Sequence, residues 1–594
     1  MKPGVISENL FTDSAIKKYH KLRTTFIVVI LFSALLPLTG CSKSFQSCQN
    51  PLPDGTFRNA AVVCVQPKAA RIGIDILKKG GNAVDAAVAV SYALAVIHPS
   101  AGNLGGGGFM LTRTADGKTT AIDYREKAPA KAHRDMYLDK DGNVIEGLSI
   151  STPLAVGVPG TVAGMLYALD KYGRLSRQEV LAPAIKLAEN GCILKRPFDE
   201  EQFDRFQSTK KVFRKPNGGI YQIGDKFVQK DLAKTLKLIS QKGHDGFYKG
   251  TTADLFVKTM KEYGGWITHE DLANYQPAER TPVTGSYRGY GIISMPPPSS
   301  GGITLLEILN ILEKYDIAKS GFNTPQTVHL VVEAAKRAFA DRAEHMADPD
   351  FINVPVKTLI SKQYAHHRAK DISPGCAAPS SRIKAGNLNA LPYESPQTTH
   401  YSIIDKDDTA VAVTTTLNDS YGCYLVVDGA GFLLNNEMDD FSAKPGAANN
   451  DGLVCGTANA IEPNKRMVSS MSPTIVTKDG KNFIVIGAIG GPTIITALAQ
   501  CIMNVIDHKM DIAQAVAAPR FHHQWMPDEI QLNEYLDNVF SEKTIKKLKS
   551  LGHKFGQPRS GKVHALLVNP KTGLIITAAD TRGEVKGSGS GIGY

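Results

Sequence analysis

Two adjacent threonines, Thr398 and Thr399, stand where a polar, proline-containing run gives way to a predicted β-strand, in the stretch PYESPQTTHYSIID. Threonine favours strands, so strand propensity alone would account for both residues. A cut between Gln397 and Thr398 would add a chemical role, because it would free the α-amine of Thr398. An α-amine has a reference pKa of about 7.7–8.0 and can take the proton of the threonine hydroxyl, which then attacks an amide carbonyl.

Amide hydrolysis also needs hydrogen-bond donors for the oxyanion, and the stretch NFIVIGAIGGPTIITALAQ contains a candidate. Its apolar run predicts a buried strand, and Gly490-Gly491 separates that strand from a helix that opens at Pro492-Thr493. The first N–H groups of a helix have no partner within the helix, so such a turn can bind an anion. Each of these parts also has a purely structural explanation when it is taken alone.

The residues after Thr398 predict a β-hairpin, with HYSIID and TAVAVTTTLN as its strands and an acidic turn near Lys406-Asp407. Counting outward from this turn puts Thr398 opposite residues 414–416, all of which are threonine. A hydroxyl is therefore expected across from Thr398 in any register. Which threonine shares its face depends on a shift of one residue, and the sequence leaves that open.

Other enzyme motifs are missing or misplaced. The glycine run in AGNLGGGGFML follows a predicted helix and precedes a strand, the reverse of the order in a dinucleotide-binding loop. Ser208-Thr209-Lys210-Lys211 and Lys571-Thr572-Gly573 match parts of the signature of penicillin-recognising serine enzymes, but no S-D-N-like element lies between them. The adjacent His522 and His523 project differently and lack a cluster of metal ligands, which favours a structural role.

Residues 1–40 predict a signal peptide, because basic residues precede the apolar run TTFIVVILFSALLPL, which is short for a membrane span. Leu38-Thr39-Gly40-Cys41 resembles a bacterial lipobox, in which Cys41 is lipidated and becomes the mature N-terminus. Ser42 follows it, which favours sorting to the periplasmic face of the outer membrane. The alternative is an ordinary signal peptide that releases a soluble periplasmic protein.

The composition excludes several classes of partner. The formal net charge of +11 is spread over 594 residues without a basic stretch that carries interleaved aromatics, so nucleic acid is not an expected partner. None of the eight cysteines forms a C-x-x-C pair, and neither a metal nor a cofactor is expected. Strand-rich segments framed by buried helices, without regular βαβ alternation, favour stacked sheets between helical layers.

Six motifs, DYREKAPA, MPPPSSGG, QTTHYSIID, LNNEMDDFSAKPG, SSMSPT and the IGGP turn, resemble in order and spacing the γ-glutamyltransferase (glutathione hydrolase) family. The resemblance extends from about residue 58 to Tyr594 and implies an α+β fold, the four-layer αββα sandwich of N-terminal nucleophile hydrolases. It also implies an inactive precursor that cleaves itself when Thr398 attacks the carbonyl carbon of Gln397. The products would be a large subunit of residues 41–397 and a small catalytic subunit of residues 398–594, which stay together.

The resemblance assigns roles to ten residues. Those that would carry out the reaction are the nucleophile Thr398, its hydrogen-bond partner Thr416, and the oxyanion donors Gly490 and Gly491. Those that would hold the substrate are Arg125, Ser469 and Ser470 at its α-carboxylate and Asn418, Glu437 and Asp440 at its α-ammonium. Together these groups describe a site for a zwitterion, and burying two acids without such a ligand would be costly.

The implied donors are glutathione and other γ-glutamyl compounds, and the implied acceptors are water, amino acids and dipeptides. Two alternatives stay open: a related amide hydrolase such as a cephalosporin acylase, and an inactive processed lipoprotein that acts as a binding module. The chain departs from the family pattern in the lid loop, where Asp451 stands at an expected tyrosine and Cys455 lies nearby. This departure bears on how well the loop shields the acyl-enzyme, and so on the balance of hydrolysis and transfer.

Overall fold

The computed structural model describes residues 55–386, 398–444, 457–534, 536, 539–559, 561–582 and 589–594. All of them belong to one compact unit, Leu52–Tyr594. No helix within these ranges is both long enough and apolar enough to cross a bilayer. The predicted signal peptide, Cys41 and Gln397 lie outside the described residues, as do Asp451 and Cys455.

The strands range in length from two residues to the nine residues of β13. In chain order they are β1 Thr56–Phe57, β2 Ala61–Cys64, β3 Gly107–Arg113, β4 Thr119–Asp123, β5 Cys192–Ile193, β6 Lys226–Phe227, β7 Ala278–Arg280, β8 Val283–Tyr287, β9 Tyr290–Ser294, β10 Thr399–Ile404, β11 Ala410–Thr416, β12 Thr474–Lys478, β13 Lys481–Ile489, β14 Phe521–His522, β15 Gln531–Leu532, β16 Lys562–Val568, β17 Ile575–Ala579 and β18 Ser590–Gly593.

Most of the helices precede Thr398 in the described part of the chain. In chain order they are α1 Pro67–Lys78, α2 Ala83–Ile97, α3 Thr161–Tyr172, α4 Arg177–Asn190, α5 Gln207–Phe213, α6 Lys230–Lys242, α7 Asp245–Tyr248, α8 Gly250–Tyr263, α9 His269–Ala273, α10 Gly301–Leu312, α11 Ile317–Ser320, α12 Pro325–His345, α13 Val356–Leu359, α14 Lys362–Arg368, α15 Thr493–Ile506, α16 Ile512–Ala517 and α17 Glu542–Ser550. A short 3-10 helix, Glu437–Asp440, carries two of the predicted site residues.

Two seven-stranded sheets form the centre of the molecule. Sheet 1 has the strand order β1-β17-β16-β13-β12-β9-β8, and sheet 2 has the order β18-β2-β10-β11-β3-β4-β7. Neighbouring strands are antiparallel throughout both sheets. The absence of parallel neighbours in these sheets agrees with the lack of βαβ alternation in the sequence.

Hydrophobic contacts arrange the sheets and helices in four layers. Between the sheets, Phe109 and Ile404 of sheet 2 belong to the same buried cluster as Ile475 and Leu566 of sheet 1. Residues of α1, α2 and α3 pack on the outer face of sheet 2. Residues of α10, α12 and α15 cover the outer face of sheet 1. This is the αββα sandwich that the sequence predicts.

The chain on both sides of Thr398 contributes to both sheets. Sheet 1 joins β1, β8 and β9 from before this residue to β12, β13, β16 and β17 from after it, and sheet 2 joins β2, β3, β4 and β7 to β10, β11 and β18. β10 lies between β2 and β11, with strand pairing on each side. A cut before Thr398 would therefore leave two pieces that remain joined by strand pairing within both sheets and by the hydrophobic contacts between the layers.

The helix α2 forms the buried support under sheet 2 that its apolar sequence predicts. Asn82 caps it, because its side-chain oxygen accepts from the backbone N–H of Asp85 while the Asp85 carboxylate accepts from that of Asn82. The residues from Ala83 to Val96 are buried on every side, since the helix packs against β10 and β11 as well as against neighbouring helices.

A buried histidine marks the place where β10 meets sheet 1. Gly487 of β13 leaves room for the His400 ring, since a Cβ there would come within 2.2 Å of His400 Cε1. The two ring nitrogens of His400 lie 2.9 Å from the hydroxyls of Thr414 and Ser402. Burial lowers the pKa of His400 well below its usual value, and His564 acts in the same direction. A neutral, fully hydrogen-bonded ring thus packs between the sheets two residues after Thr398.

Candidate active site

The strand register decides which threonine faces Thr398. β10 begins at Thr399, which pairs with Thr415 of the antiparallel β11. Continuing this register by one residue puts Thr398 opposite Thr416, and directly opposed residues of antiparallel strands project from the same face. Both threonines are buried. The structure thus selects one of the three hydroxyls that the sequence left open.

Thr416 connects directly to the next predicted site residue. Its Oγ1 accepts a hydrogen bond of 2.8 Å from the backbone N–H of Asn418. Asn418 has a left-handed backbone conformation with φ of 73°, and its Nδ2 donates to the Asn436 carbonyl oxygen at 3.0 Å. The Asn418 Oδ1 is buried and accepts no hydrogen bond from the described part of the chain. An acceptor held in this way suits an ammonium group.

Arg125 lies in the middle of a buried charged cluster. Its Nη1 donates to Glu437 Oε1 and its Nη2 to Asp440 Oδ2. Nε and Nη2 also donate to the carbonyl oxygens of Met467 at 3.3 Å and Val468 at 3.1 Å. The side chains of Arg125, Glu437 and Asp440 are each only 1% exposed. Arg125 therefore belongs to a buried cluster and not to a surface ion pair.

This cluster brings together residues that the sequence assigns to opposite ends of a substrate. Without a ligand, the cation expected at the carboxylate pairs with the two acids expected at the ammonium. Buried charges require such compensation, because desolvating an ion costs several kcal/mol. The carboxylate of an incoming ligand would meet a guanidinium that already pairs with Glu437 and Asp440.

Glu126 adds a third acid behind Arg125. Its Oε2 lies 3.6 Å from Arg125 Nη1, and the side chain is fully buried. It also lies against the glycine run of β3, where a Cβ on Gly107 would collide with its carboxylate. Gly107 pairs with Thr416 in the sheet, so this contact links the charged cluster to the strand that faces Thr398. The glycine run thus serves close packing rather than nucleotide binding.

Ser469 and Ser470 are buried in the segment that leads into β12, where the proline turn before α10 holds them. The backbone N–H of Ser469 donates to the Pro298 carbonyl oxygen at 2.9 Å, and its own carbonyl oxygen accepts from Ser300 N at 2.7 Å. Ser469 Oγ accepts from Met471 N at 3.3 Å. Because Arg125 binds the carbonyl oxygen immediately before Ser469, the structure brings these serines next to the charged cluster.

Gly490 and Gly491 form the predicted turn between β13 and α15. Both have positive φ values, 120° and 60°, which side chains rarely adopt. Thr493 donates through its N and Oγ1 to the Gly490 carbonyl oxygen, and α15 begins at Thr493. The glycines directly follow β13, the strand of sheet 1 that packs face to face on β10 and β11. The described contacts do not join them directly to Thr398.

Two consecutive buried asparagines organise the site, and motif reasoning from the sequence missed them. Asn435 Nδ2 donates to the carbonyl oxygens of Gly105 and Gly157 at 2.8 Å, while its Oδ1 accepts from Gly157 N and Glu437 N. Asn436 accepts from Asn418 through its carbonyl oxygen. The available signal was the pair of amides inside the apolar run FLLNNEM, because buried amides must be hydrogen-bonded.

The family model described as Gamma-glutamyltranspeptidase matches residues 69–590. The chain belongs to the gamma-glutamyltranspeptidase family. A gamma-glutamyltranspeptidase family member of Escherichia coli (strain K12), named glutathione hydrolase proenzyme, is 50% identical over 533 residues, which cover 88% of this chain and 90% of that protein.

Solved structures agree with the family and with the fold. The crystal structure of Helicobacter pylori gamma-glutamyltranspeptidase is 49% identical with a TM-score of 0.52, and the match covers 55% of this chain and 95% of that one. The crystal structure of cephalosporin acylase from Bacillus halodurans is 27% identical with a TM-score of 0.77, and it covers 93% of this chain and 99% of that one. The αββα sandwich is therefore the fold of N-terminal nucleophile hydrolases.

Glu126 gives the charged cluster a testable dependence on pH. Burial raises the pKa of Glu126 from 4.5 to about 7, against the lowering effect of the Arg125 guanidinium. Because the pKa of this carboxyl is higher in the folded state, its protonation stabilises the fold. This stabilisation is fully present below pH 4.5 and is lost as the pH rises through about 7. We expect the melting temperature of Glu126→Gln, relative to that of the native chain, to rise between pH 5 and pH 8. A difference that stays constant over this range would show that Glu126 does not titrate there.

Proposed function

We propose that the chain is the precursor of a γ-glutamyltransferase and glutathione hydrolase that uses Thr398 as an N-terminal nucleophile. The observation that carries this proposal is a series of neighbouring residues that leads from the nucleophile to the charged cluster. Thr398 faces Thr416, Thr416 holds Asn418, and Asn418 binds the carbonyl oxygen of the residue before Glu437. Glu437 then pairs with Arg125. A nucleophile and a pocket for a charged α-carbon substituent thus share one buried site.

Activation begins with the cleavage of the precursor. Thr398 Oγ1 attacks the carbonyl carbon of Gln397, the C–N bond breaks, and the acyl group moves from nitrogen to oxygen as an ester. Water then hydrolyses this ester and releases Thr398 with a free α-amine. The amine has a reference pKa close to neutral, so it can accept the proton of the hydroxyl in each later turnover. The shared sheets keep the pieces 41–397 and 398–594 together.

Turnover follows the same chemistry on a γ-glutamyl amide. Thr398 Oγ1 attacks the γ-carbonyl carbon, and the N–H groups of Gly490 and Gly491 are assigned to the oxyanion of the tetrahedral intermediate. The leaving amine takes a proton as the C–N bond breaks, and a γ-glutamyl ester remains on the enzyme. Water, an amino acid or a dipeptide amine then attacks this ester and restores the Thr398 hydroxyl. The chemistry requires no metal or cofactor.

The donors we propose are glutathione and related γ-glutamyl compounds, because their α-carbon carries both charges that the cluster can receive. Arg125 with Ser469 and Ser470 suits the α-carboxylate, since a guanidinium binds a carboxylate as a planar fork. Glu437, Asp440 and the buried acceptor of Asn418 suit the α-ammonium. A cephalosporin acylase-like function is supported by likeness of fold, but the pairing of one cation with two acids favours a zwitterion. An inactive processed lipoprotein would show the same cleavage before Thr398 but no turnover of a γ-glutamyl amide.

Replacement of the nucleophile should stop both cleavage and turnover. Thr398→Ala removes the attacking oxygen, so we expect one uncleaved band on a denaturing gel and a loss of γ-glutamyl p-nitroanilide turnover of about 10⁴-fold or more. Thr399→Ala is the matched control, because its side chain projects from the opposite face of β10 and should leave both reactions in place. N-terminal sequencing should find Thr398 first in the small piece of the native chain. Normal turnover by Thr398→Ala would refute the mechanism.

Arg125 and the acids that pair with it should recognise different groups of the substrate. We expect Arg125→Lys and Asp440→Asn each to lower kcat/KM for γ-glutamyl p-nitroanilide by about 30-fold or more, as for a truncated buried ion pair. Arg125→Lys should matter less for 4-aminobutyryl p-nitroanilide, which lacks the α-carboxylate. Asp440→Asn should matter less for glutaryl p-nitroanilide, which lacks the ammonium. An equal loss on all three substrates would argue against the assignment.

We also propose that the precursor is exported and anchored by a lipid on Cys41, at the periplasmic face of the outer membrane. Support comes from the lipobox-like Leu38-Thr39-Gly40-Cys41 after the apolar run. In a bacterial host, labelled palmitate should enter the native chain but not Cys41→Ala, and the variant should leave the membrane fraction. The exposed Cys376→Ala provides the matched cysteine control. Unlabelled native protein in the soluble periplasmic fraction would support the ordinary signal peptide instead.

A further inference from the structure

A second buried arginine lies behind the two serines assigned to the substrate α-carboxylate. Arg342 belongs to α12, and only 2% of it is exposed. Its Nε donates to Ser300 Oγ at 3.0 Å, and its Nη2 donates to Ser470 Oγ at 3.5 Å. Motif reasoning gives this residue no role. It contacts one serine of the pair directly and reaches the other through the proline turn.

The direction of these hydrogen bonds follows from the chemistry of the guanidinium, which donates and never accepts. Ser470 Oγ therefore acts as the acceptor towards Arg342, and its own proton remains to be donated in another direction. Ser300 also accepts from Arg342 and passes its proton on, because Ser300 Oγ donates to the Ser469 carbonyl oxygen at 3.0 Å. The Ser469 hydroxyl in turn accepts from Met471 N. Both serines of the pair are thus held with their oxygens occupied as acceptors.

This arrangement suits a carboxylate, which only accepts hydrogen bonds when it is ionised. A serine that already accepts from a fixed donor can direct its O–H towards an anion without first losing another bond. The charge of Arg342 acts in the same sense, because a buried cation near a carboxylate favours its binding. Arg125 already binds the carbonyl oxygen of Val468, the residue before Ser469. Two guanidinium groups consequently contact the three-residue segment from Val468 to Ser470.

We propose that Arg342 is a positioning residue for recognition of the α-carboxylate, which orients Ser470 directly and the Ser469 segment through Ser300. This inference rests on the proposed function, because it assigns the serine pair to the α-carboxylate of a γ-glutamyl donor. Arg342 does not contact the reacting atoms. Its removal should weaken the binding of substrates that carry the carboxylate and leave the chemical step on Thr398 intact.

The test compares two substrates that differ only in the α-carboxylate. For γ-glutamyl p-nitroanilide, we expect Arg342→Gln to raise KM about tenfold, in line with the loss of a charged hydrogen bond, with little change in kcat. For 4-aminobutyryl p-nitroanilide, KM and kcat should stay close to those of the native enzyme. Arg342→Lys keeps the positive charge but loses the planar guanidinium that donates to two hydroxyls at once. This variant should therefore keep part of the preference for the carboxylate.

Arg337→Gln is the matched control, because Arg337 lies on the same helix and is buried but pairs with Glu333 and Asp371 instead of the serines. It should lower the melting temperature without changing the ratio of kcat/KM between the two substrates. Ser300→Ala removes the hydroxyl that links Arg342 to the Ser469 carbonyl oxygen, and it is a smaller change. It replaces Arg342→Gln in the test if that variant does not fold. It should lower the preference for the carboxylate in the same direction.

Two failures can be distinguished. If the native enzyme does not hydrolyse γ-glutamyl p-nitroanilide, the proposed function fails. If the native enzyme does, but cleaved Arg342→Gln or Ser300→Ala keeps the native ratio between the substrates, the role of Arg342 is overturned. A loss of kcat that is equal on both substrates would likewise mean that Arg342 supports the fold rather than the carboxylate pocket.

Discussion

The buried contact of Arg125 with Glu437 and Asp440 is the constraint on which the rest of the site depends. Taking a single ion out of water costs several kcal/mol, so three charges at 1% exposure persist only if each keeps a partner. The surrounding backbone is arranged accordingly. The Met467 and Val468 carbonyl oxygens fix the guanidinium, and the Asn435 amide fixes the first residue of the 3-10 helix that carries both acids.

The same contact joins residues on the two sides of the proposed cleavage point. Arg125 comes from the piece before Thr398, whereas Glu437 and Asp440 come from the piece after it. Sheet pairing repeats this pattern, since β10 lies between β2 from one piece and β11 from its own. Separating the pieces would break strand pairs and also leave buried charges without partners. Cleavage can therefore free an amine at Thr398 while the geometry around it is preserved.

Much of this architecture could be predicted from local patterns, and the remainder could not for identifiable reasons. Local patterns predicted the helix α2 before the glycine run, the β10–β11 hairpin and the strand–glycine–helix unit at Gly490-Gly491. The register of Thr398 stayed open because a slip of one residue is invisible in a run of three threonines. Motifs indicated Arg125, Glu437 and Asp440 as substrate ligands but not their mutual pairing, which depends on tertiary packing. The bonds of Asn435 to Gly105 and Gly157 are also long-range, so no local pattern contains them.

The resting pairing also explains how such a site can be selective. A ligand with both an ammonium and a carboxylate can replace the pairing of Arg125 with Glu437 and Asp440. Its carboxylate then pairs with Arg125 and its ammonium with the two acids, so the net charge of the pocket does not change. A ligand that carries only the carboxylate would draw Arg125 away and leave Glu437 and Asp440 facing each other in a desolvated pocket. A ligand that carries only the ammonium would draw Glu437 and Asp440 away from the guanidinium and bring no carboxylate to replace them. Truncating one partner of a buried charge pair costs about 2–5 kcal/mol. Under the proposed function, selectivity for a zwitterion is therefore set by the cost of the charge left unpaired, in addition to the contacts made with the correct substrate.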